Sequence, residues 1–291
     1  MLYIPFSTIR CELGEGVLWD DITQRLFWVD ISKGIVYEAD ANGQVLCTYL
    51  TGEFSSTVAL TKCGDVLVTG QSKIYHFLRG EHKPHACLAN LPIPNSQRLN
   101  DGKCDPSGAF IVGSMTLNGT HDAKLFRVVN GQYSTLADGI GCSNGLGFSP
   151  NRRFMYYIDT PLKAVWRFSF DENGKLSQRI ALVDTSIYSG VPDGMTVDRE
   201  GNLWVAMWGD SSVRCFSWQD GTLLARISLP AKYVTSCTFG GRELDTLFIS
   251  TAAFDDEKDK VSAGLVYKIL LGHFGMSTFR YQLKSCSANG L

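Results

Sequence analysis

The chain has no stretch approaching the ~20 apolar residues of a membrane-spanning helix, although 44% of its 291 residues are hydrophobic. An excess of either charge is missing too: 27 Lys and Arg face 29 Asp and Glu, a net charge of −2. That balance argues against a nucleic-acid partner, and no block of like charge marks a disordered tail. The N-terminus shows no basic region followed by an apolar core, so a cytoplasmic setting with no membrane partner is the expectation. The nine cysteines include no Cys-x-x-Cys pair. Their odd number and scattered positions, Cys11, Cys63 and Cys142 among them, fit a reduced compartment where most thiols are small core residues. Nowhere does an i, i+3, i+4 apolar stripe persist long enough for a helix.

A repeat is present instead. Its fullest copy is Pro192-Asp193-Gly194-Met195-Thr196-Val197-Asp198, a turn at Gly201, and then Leu203-Trp204-Val205-Ala206. Copies with the same polar entry and apolar run begin at Glu15, Asn100 and Asn144, and weaker ones at Ser56 and Thr235. The runs end at Asp20, Thr61, Asp105, Ser149, Asp198 and Gly240, giving spacings of 41, 44, 44, 49 and 42. Each copy reads as short strands separated by turn signals such as Asn42-Gly43 and Asp220-Gly221. Second strands are apolar on both faces, as expected of strands sandwiched between neighbouring sheets. Four-stranded units of this length are propeller blades. The expectation is an all-β, six-bladed β-propeller with four-stranded blades, a single domain over residues 1–291. Closure would use Tyr3 to Ile9 against the sixth blade, whose outer strand is placed at Ser277 to Leu283. Such a ring removes exposed sheet edges.

In a propeller the first strand of every blade lines the central channel. The residues five before the alignment points are Glu15, Ser56, Asn100, Asn144, Asp193 and Thr235, and all carry oxygen. Ordinary strand-entry preference accounts for Ser56 and Thr235 but not for Glu15, which is a poor turn residue. Two carboxylates and two amides converging in a channel call for a hard divalent cation. None of the five histidines falls in the ring, which disfavours an imidazole-rich zinc site.

These segments carry a resemblance. Gly14-Glu15-Gly16, Arg98-Leu99-Asn100-Asp101-Gly102-Lys103, Ser143-Asn144-Gly145-Leu146 and Val191-Pro192-Asp193-Gly194-Met195 together resemble the gluconolactonase/regucalcin family, also called senescence marker protein and luciferin-regenerating-enzyme-like. The motifs run in order over nearly the full length. The resemblance implies Glu15, Asn144 and Asp193 as metal ligands and Arg98 and Asn100 as substrate contacts, with Asp101 a plausible helper there. It implies one divalent cation, calcium first, with zinc, magnesium or manganese as alternatives. It also implies an acidic substrate contact three positions after Met115, where this chain has Asn118.

The implied activity is metal-assisted hydrolysis of a sugar lactone to its aldonic acid, with Asp193 as general base. The small-molecule lactone is the expected partner of a monomer or weak homo-oligomer. Two other readings use the same scaffold: a non-enzymatic calcium-binding regulator, and an esterase or phosphotriesterase. Gly141-Cys142-Ser143-Asn144-Gly145 matches the G-x-S-x-G esterase pattern, but no helix follows to make a nucleophile elbow. Asn118-Gly119-Thr120 matches a glycosylation sequon, which means little without a secretory signal. Trp19, Trp28 and Trp204 are expected in the core, and Trp208, at a strand end, within reach of the pocket. The run Asp255 to Lys260 reads as a solvated loop, with a lid as the alternative.

Overall fold

The computed structural model describes residues 3–257 and 260–284. Among the described residues it is all-β and propeller-like, with single-turn 3-10 segments at Thr160–Leu162 and Asp255–Glu257. Strand β1 (Ile4–Pro5) precedes a run of antiparallel units. The first unit is β2 (Gly14–Asp20), β3 (Arg25–Asp30), β4 (Ile35–Asp40) and β5 (Val45–Leu50), paired in that order. The next is β6 (Val58–Leu60), β7 (Val66–Thr69), β8 (Lys73–Phe77) and β9 (Ala86–Asn90). Then come β10 (Gln97–Cys104), β11 (Phe110–Thr116), β12 (Ala123–Val129) and β13 (Gln132–Ile140). A fourth sheet holds β14 (Ser143–Phe148), β15 (Phe154–Asp159), β16 (Ala164–Phe170) and β17 (Leu176–Asp184).

The remaining strands form one eight-stranded sheet. It contains β18 (Val191–Val197), β19 (Leu203–Trp208), β20 (Ser212–Phe216), β21 (Leu223–Ser228), β22 (Tyr233–Gly240), β23 (Thr246–Ala252), β24 (Tyr267–Leu270) and β1. A single backbone pair, Trp208 with Tyr233, joins β19 to β22 and so fuses two four-strand groups. As expected from the sequence, the chain's start completes its end: Ile4 pairs with Lys268 and Pro5 with Tyr267.

The first strands of successive units form a closed ring. Strand β2 lies beside β6, then β10, β14, β18 and β22 follow, and β22 returns to β2. Second strands are buried on both faces, so apolar clusters fill the wedges between sheets. Trp19, Trp28 and Trp204 are almost wholly buried, and Trp19 stacks on Phe248 with centroids 5.2 Å apart across the seam where chain start meets chain end. Burying aromatic surface on this scale dominates the energetics of such wedges.

One sequence expectation fails. Ser277 to Leu283 is not an outer strand, because β1 already occupies that edge. The segment instead crosses beneath the ring, touching the ladder only through isolated bridges at Gly275–Asp198 and Tyr281–Thr61. Its backbone meets Leu60 and Gly108, and Thr278 donates to the Trp19 carbonyl at 2.7 Å. Met276 and Phe279 line the small void above it, so this crossing closes the channel's lower end. Of the charged run, Lys258 and Asp259 lie outside the described residues, while Glu257 is buried and pairs with Lys260 at 2.5 Å. Among the described residues seven cysteines are free, but Cys63 is disulfide-bonded, a pairing the expected reduced setting did not include.

The turns after the first strands are held by the alignment-point residues. Asp20 accepts from the Ile22 and Thr23 amides, and Asp105 from those of Ser107 and Ala109. Asp20 is also the hub of an ion network: Arg79 reaches it at 2.5 Å and the buried Glu38 at 2.8 Å, while Arg280 from the crossing segment reaches Asp20 at 2.7 Å. Arg79→Ala leaves two fully buried carboxylates short of a partner, so it is expected to cost on the order of 3 kcal/mol. Urea unfolding measures this, and a loss below about 1 kcal/mol, the range of an exposed pair, would show the network to be incidental.

Candidate active site

The upper end of the ring opens into a cavity of about 240 Å³. Glu15, Arg98, Asn100, Asn144 and Asp193 all line it, so five residues singled out from the sequence meet in one place. Thr160, Cys142, Leu13, Ile31, Met115, Val191 and Trp208 complete the wall. Glu15, Asn100, Asn144 and Asp193 are each less than a tenth exposed.

A local backbone device aims these side chains inward. The pairing of first to second strand shifts register between Glu15 and Leu18, Leu99 and Gly102, Asn144 and Leu146, and Pro192 and Met195. Each shift is a β-bulge, which breaks the pleat and re-aims one side chain. Without it, strict alternation would fix the side chain's face by its register alone. Gly16 takes the positive φ of +56° that such a break needs immediately after Glu15. At Gly145 the reason is space: a Cβ there would sit 2.7 Å from the Asp193 carbonyl oxygen.

Ser56 and Thr235 do not reach the cavity. Ser56 Oγ donates to the Asn100 carbonyl at 3.0 Å and Thr235 Oγ1 to the Gly14 carbonyl at 2.6 Å. Both stitch one first strand to the next, as their strand-entry character suggests. Asp101 lines a smaller void deeper in the channel with Lys103, whose Nζ donates to the Met195 carbonyl at 3.0 Å. Asn118 lies in an exposed loop, where it accepts from Thr120 at 2.8 Å. Ser143 is fully buried within β14 and presents no exposed hydroxyl.

The electrostatics are those of a site short of positive charge. Burial, with Asp193 and Asp101 nearby, holds the Glu15 carboxyl well above its usual range. Burial and then Asp101 push Asp193 up to about 8, against the hydrogen bonds of Asn144 and Glu15. Burial pushes Asp101 up to about 6, against the pull of Lys103. Arg98 is lowered by its own burial, against the pull of Cys142, Glu15 and Asp193, and its Nη1 is spent on Asn100 Oδ1 at 2.6 Å and the Leu99 carbonyl. Cys142 is pushed up to about 12 by burial, so it remains a neutral thiol.

Asn144 supplies the decisive detail. Its Nδ2 donates to Thr160 Oγ1 at 3.0 Å, but its buried Oδ1 has no hydrogen-bond partner. A buried acceptor with no donor is costly, and here it accompanies two carboxyls that burial disfavours as anions. The donor set is all oxygen, from an amide and two acids, and suits a hard cation. The residues present therefore fit a divalent metal.

A second group of possible ligands, Asp198, Glu200 and His273, lies past the far end of β18, with ligand atoms within 4.8 Å of one another. The Asp198 oxygens are already taken by the amides of Glu200 and Asn202, by Asn202 Nδ2 and by Trp204 Nε1 at 3.0 Å. That occupancy makes it the turn anchor of its unit, in the manner of Asp20 and Asp105. Sequence reasoning placed Trp208 within reach but missed Thr160, Leu13, Ile31, Met115 and Val191, which reach the cavity from strand ends and the residues beside them. The bulges had a signal, a glycine directly after Glu15, Asn144 and Asp193.

Residues 13–253 match the family model described as the SMP-30/gluconolactonase/LRE-like region. The pentonolactonase XacC of Haloferax volcanii is 32% identical over 286 residues, covering 94% of this chain and 96% of that protein. A solved luciferin-regenerating enzyme superposes with a TM-score of 0.90 at 26% identity, over 97% of this chain and 99% of its own. A calcium-binding protein, regucalcin, from Agrobacterium tumefaciens superposes with a TM-score of 0.87 at 25% identity, over 96% and 97%. Model, relative and structures agree from near one end to the other, and the chain belongs to the SMP-30/gluconolactonase/LRE-like family.

Proposed function

We propose that this protein is a metal-dependent lactonase that opens sugar lactones to aldonic acids. The fold reading that goes with it is one six-bladed propeller domain, with the eight-stranded sheet counted as two blades bridged at Trp208 and Tyr233. The observation that carries the reading is the buried meeting of Glu15, Asp193 and the partnerless Asn144 Oδ1 at the base of an open cavity. Lactone hydrolysis by a relative aligned over almost the whole of both chains supports the same chemistry.

Glu15, Asn144 and Asp193 would hold the cation, calcium first given their hard oxygen donors, with zinc, magnesium and manganese as alternatives. A divalent ion there supplies Lewis-acid polarisation of the lactone carbonyl. Asp193 would take the proton of the attacking water, a task open to a carboxylate at the base of the cavity beside the ion's site. Arg98 and Asn100 are rigidly joined by their 2.6 Å hydrogen bond and orient the ring hydroxyls. Asp101, one step down the channel, acts through the charge it imposes on Asp193 and Glu15. Thr160 fixes the Asn144 amide, donating in turn to the Pro192 carbonyl at 2.9 Å.

Asp193→Ala is expected to lower lactone turnover by about 10²–10⁴-fold, the usual worth of a positioned base, and a chelator should do the same to the parent protein. Full activity in that variant overturns the reading. Turnover of aryl esters or phosphotriesters with no lactone hydrolysis would redirect it.

The raised carboxyls also fix a pH dependence. Their contribution to stability is fully present below their unfolded pKa near 4 and is lost as pH rises through about 6 for Asp101 and about 8 for Asp193. Asp20 and Glu38 are shifted the other way, so their contribution is lost only in more acidic solution. Metal-free protein is therefore expected to lose stability between about pH 5 and pH 8, and calcium to raise Tm more at the higher pH. Calorimetric melts with and without metal test this. A calcium-induced rise no larger at about pH 8 than at about pH 5 counts against these carboxyls as ligands.

A further inference from the structure

The cavity wall divides by chemistry, and the division bears on which lactones fit; this inference rests on the lactonase reading above. The polar groups are already engaged. Asn100 Nδ2 donates to the Ser143 carbonyl at 2.7 Å while its Oδ1 takes Arg98, and Thr160 is bonded both to Asn144 and to Pro192. The remaining N–H groups of Arg98 are left to recognise ring hydroxyls. The rest of the lining is carbon: Leu13, Ile31, Val191 and Trp208, with Met115 as the cross-strand neighbour of Arg98. Trp208 is braced by Tyr233, with centroids 4.4 Å apart, and by the half-exposed Phe254 at 5.7 Å. The loops next to these residues continue the pattern, with Leu117 55% and Ile187 75% exposed.

A hydroxyl laid against such a wall gives up its hydrogen bonds to water and gains none, whereas a methyl group buries apolar surface there. We propose that the site selects lactones whose exocyclic end is apolar, terminal-deoxy aldonolactones above all, over the fully hydroxylated compounds. Met115 adds carbon to the lining beside Arg98, and Asn118, three residues on, accepts from Thr120 instead of facing the cavity.

The test is a matched pair differing by one hydroxyl: L-rhamnono-γ-lactone and L-mannono-γ-lactone, each assayed with saturating metal. The deoxy compound is expected to have a kcat/KM about tenfold higher, the scale on which an apolar pocket distinguishes such neighbours. Trp208→Ala should bring the two towards parity, chiefly through KM for the deoxy compound, while Trp208→Phe keeps the preference. Met115→Gln, which adds hydrogen-bonding capacity without touching the Trp208 contacts, should raise kcat/KM for the hydroxylated partner. Equal or better turnover of L-mannono-γ-lactone by the parent protein overturns the inference and leaves the lactonase reading standing. Hydrolysis of neither compound, nor of other lactones, removes both.

Discussion

Two acids buried side by side govern this molecule. Glu15 and Asp193 come from distant parts of the chain, and burial above all strengthens the hold of each on its proton, with Asp193 adding to it at Glu15 and Asp101 at both. An arrangement that places like charges together out of water is unfavourable by itself. It persists because the ring of first strands over-determines where those residues go. The aromatic wedges between sheets fix the strands, and the bulges fix which way the side chains turn. The rest of the fold supplies the stability that the centre gives up, as is usual where strain or desolvation is concentrated at a functional site.

Two sets of polar residues recur along the chain, five positions apart, and they do opposite things. At the lower ends of the first strands Asp20, Asp105 and Asp198 are saturated with hydrogen bonds and hold turns. At the upper ends Asn144 Oδ1 has no partner, and burial disfavours the charged forms of Glu15 and Asp193. The same residue types thus serve structure at one end of each strand and chemistry at the other. Side-chain identity does not separate the two; their surroundings do.

Much of this was legible in the sequence. The spacing of the repeats gave the units, and a polar residue entering each apolar run marked Glu15, Asn100, Asn144 and Asp193. Glu15 stood out because ordinary turn chemistry does not call for it. The division of labour within the ring was less visible, since Ser56 and Thr235 look like site residues until their bonds to neighbouring backbone are seen. Ser277 to Leu283 was misread because alternation in a short segment cannot distinguish a strand from a strap that sets Met276 and Phe279 against the channel. Of the apolar wall only Trp208 was legible, from its place at a strand end; Leu13, Ile31, Met115 and Val191 share no period, and only the closure of the ring brings them together.

The pairing of Ile4 and Pro5 with β24 has a consequence for how the protein comes into being. A ribosome delivers β1 long before β24, the edge it joins, so Ile4 and Pro5 wait unpaired while the strands between are made. Glu15 is likewise made early and meets Asp193 only when most of the chain has emerged. Ion capture would then mark the finished ring, distinguishing a closed molecule from a nascent one whose last unit still lacks its outer edge.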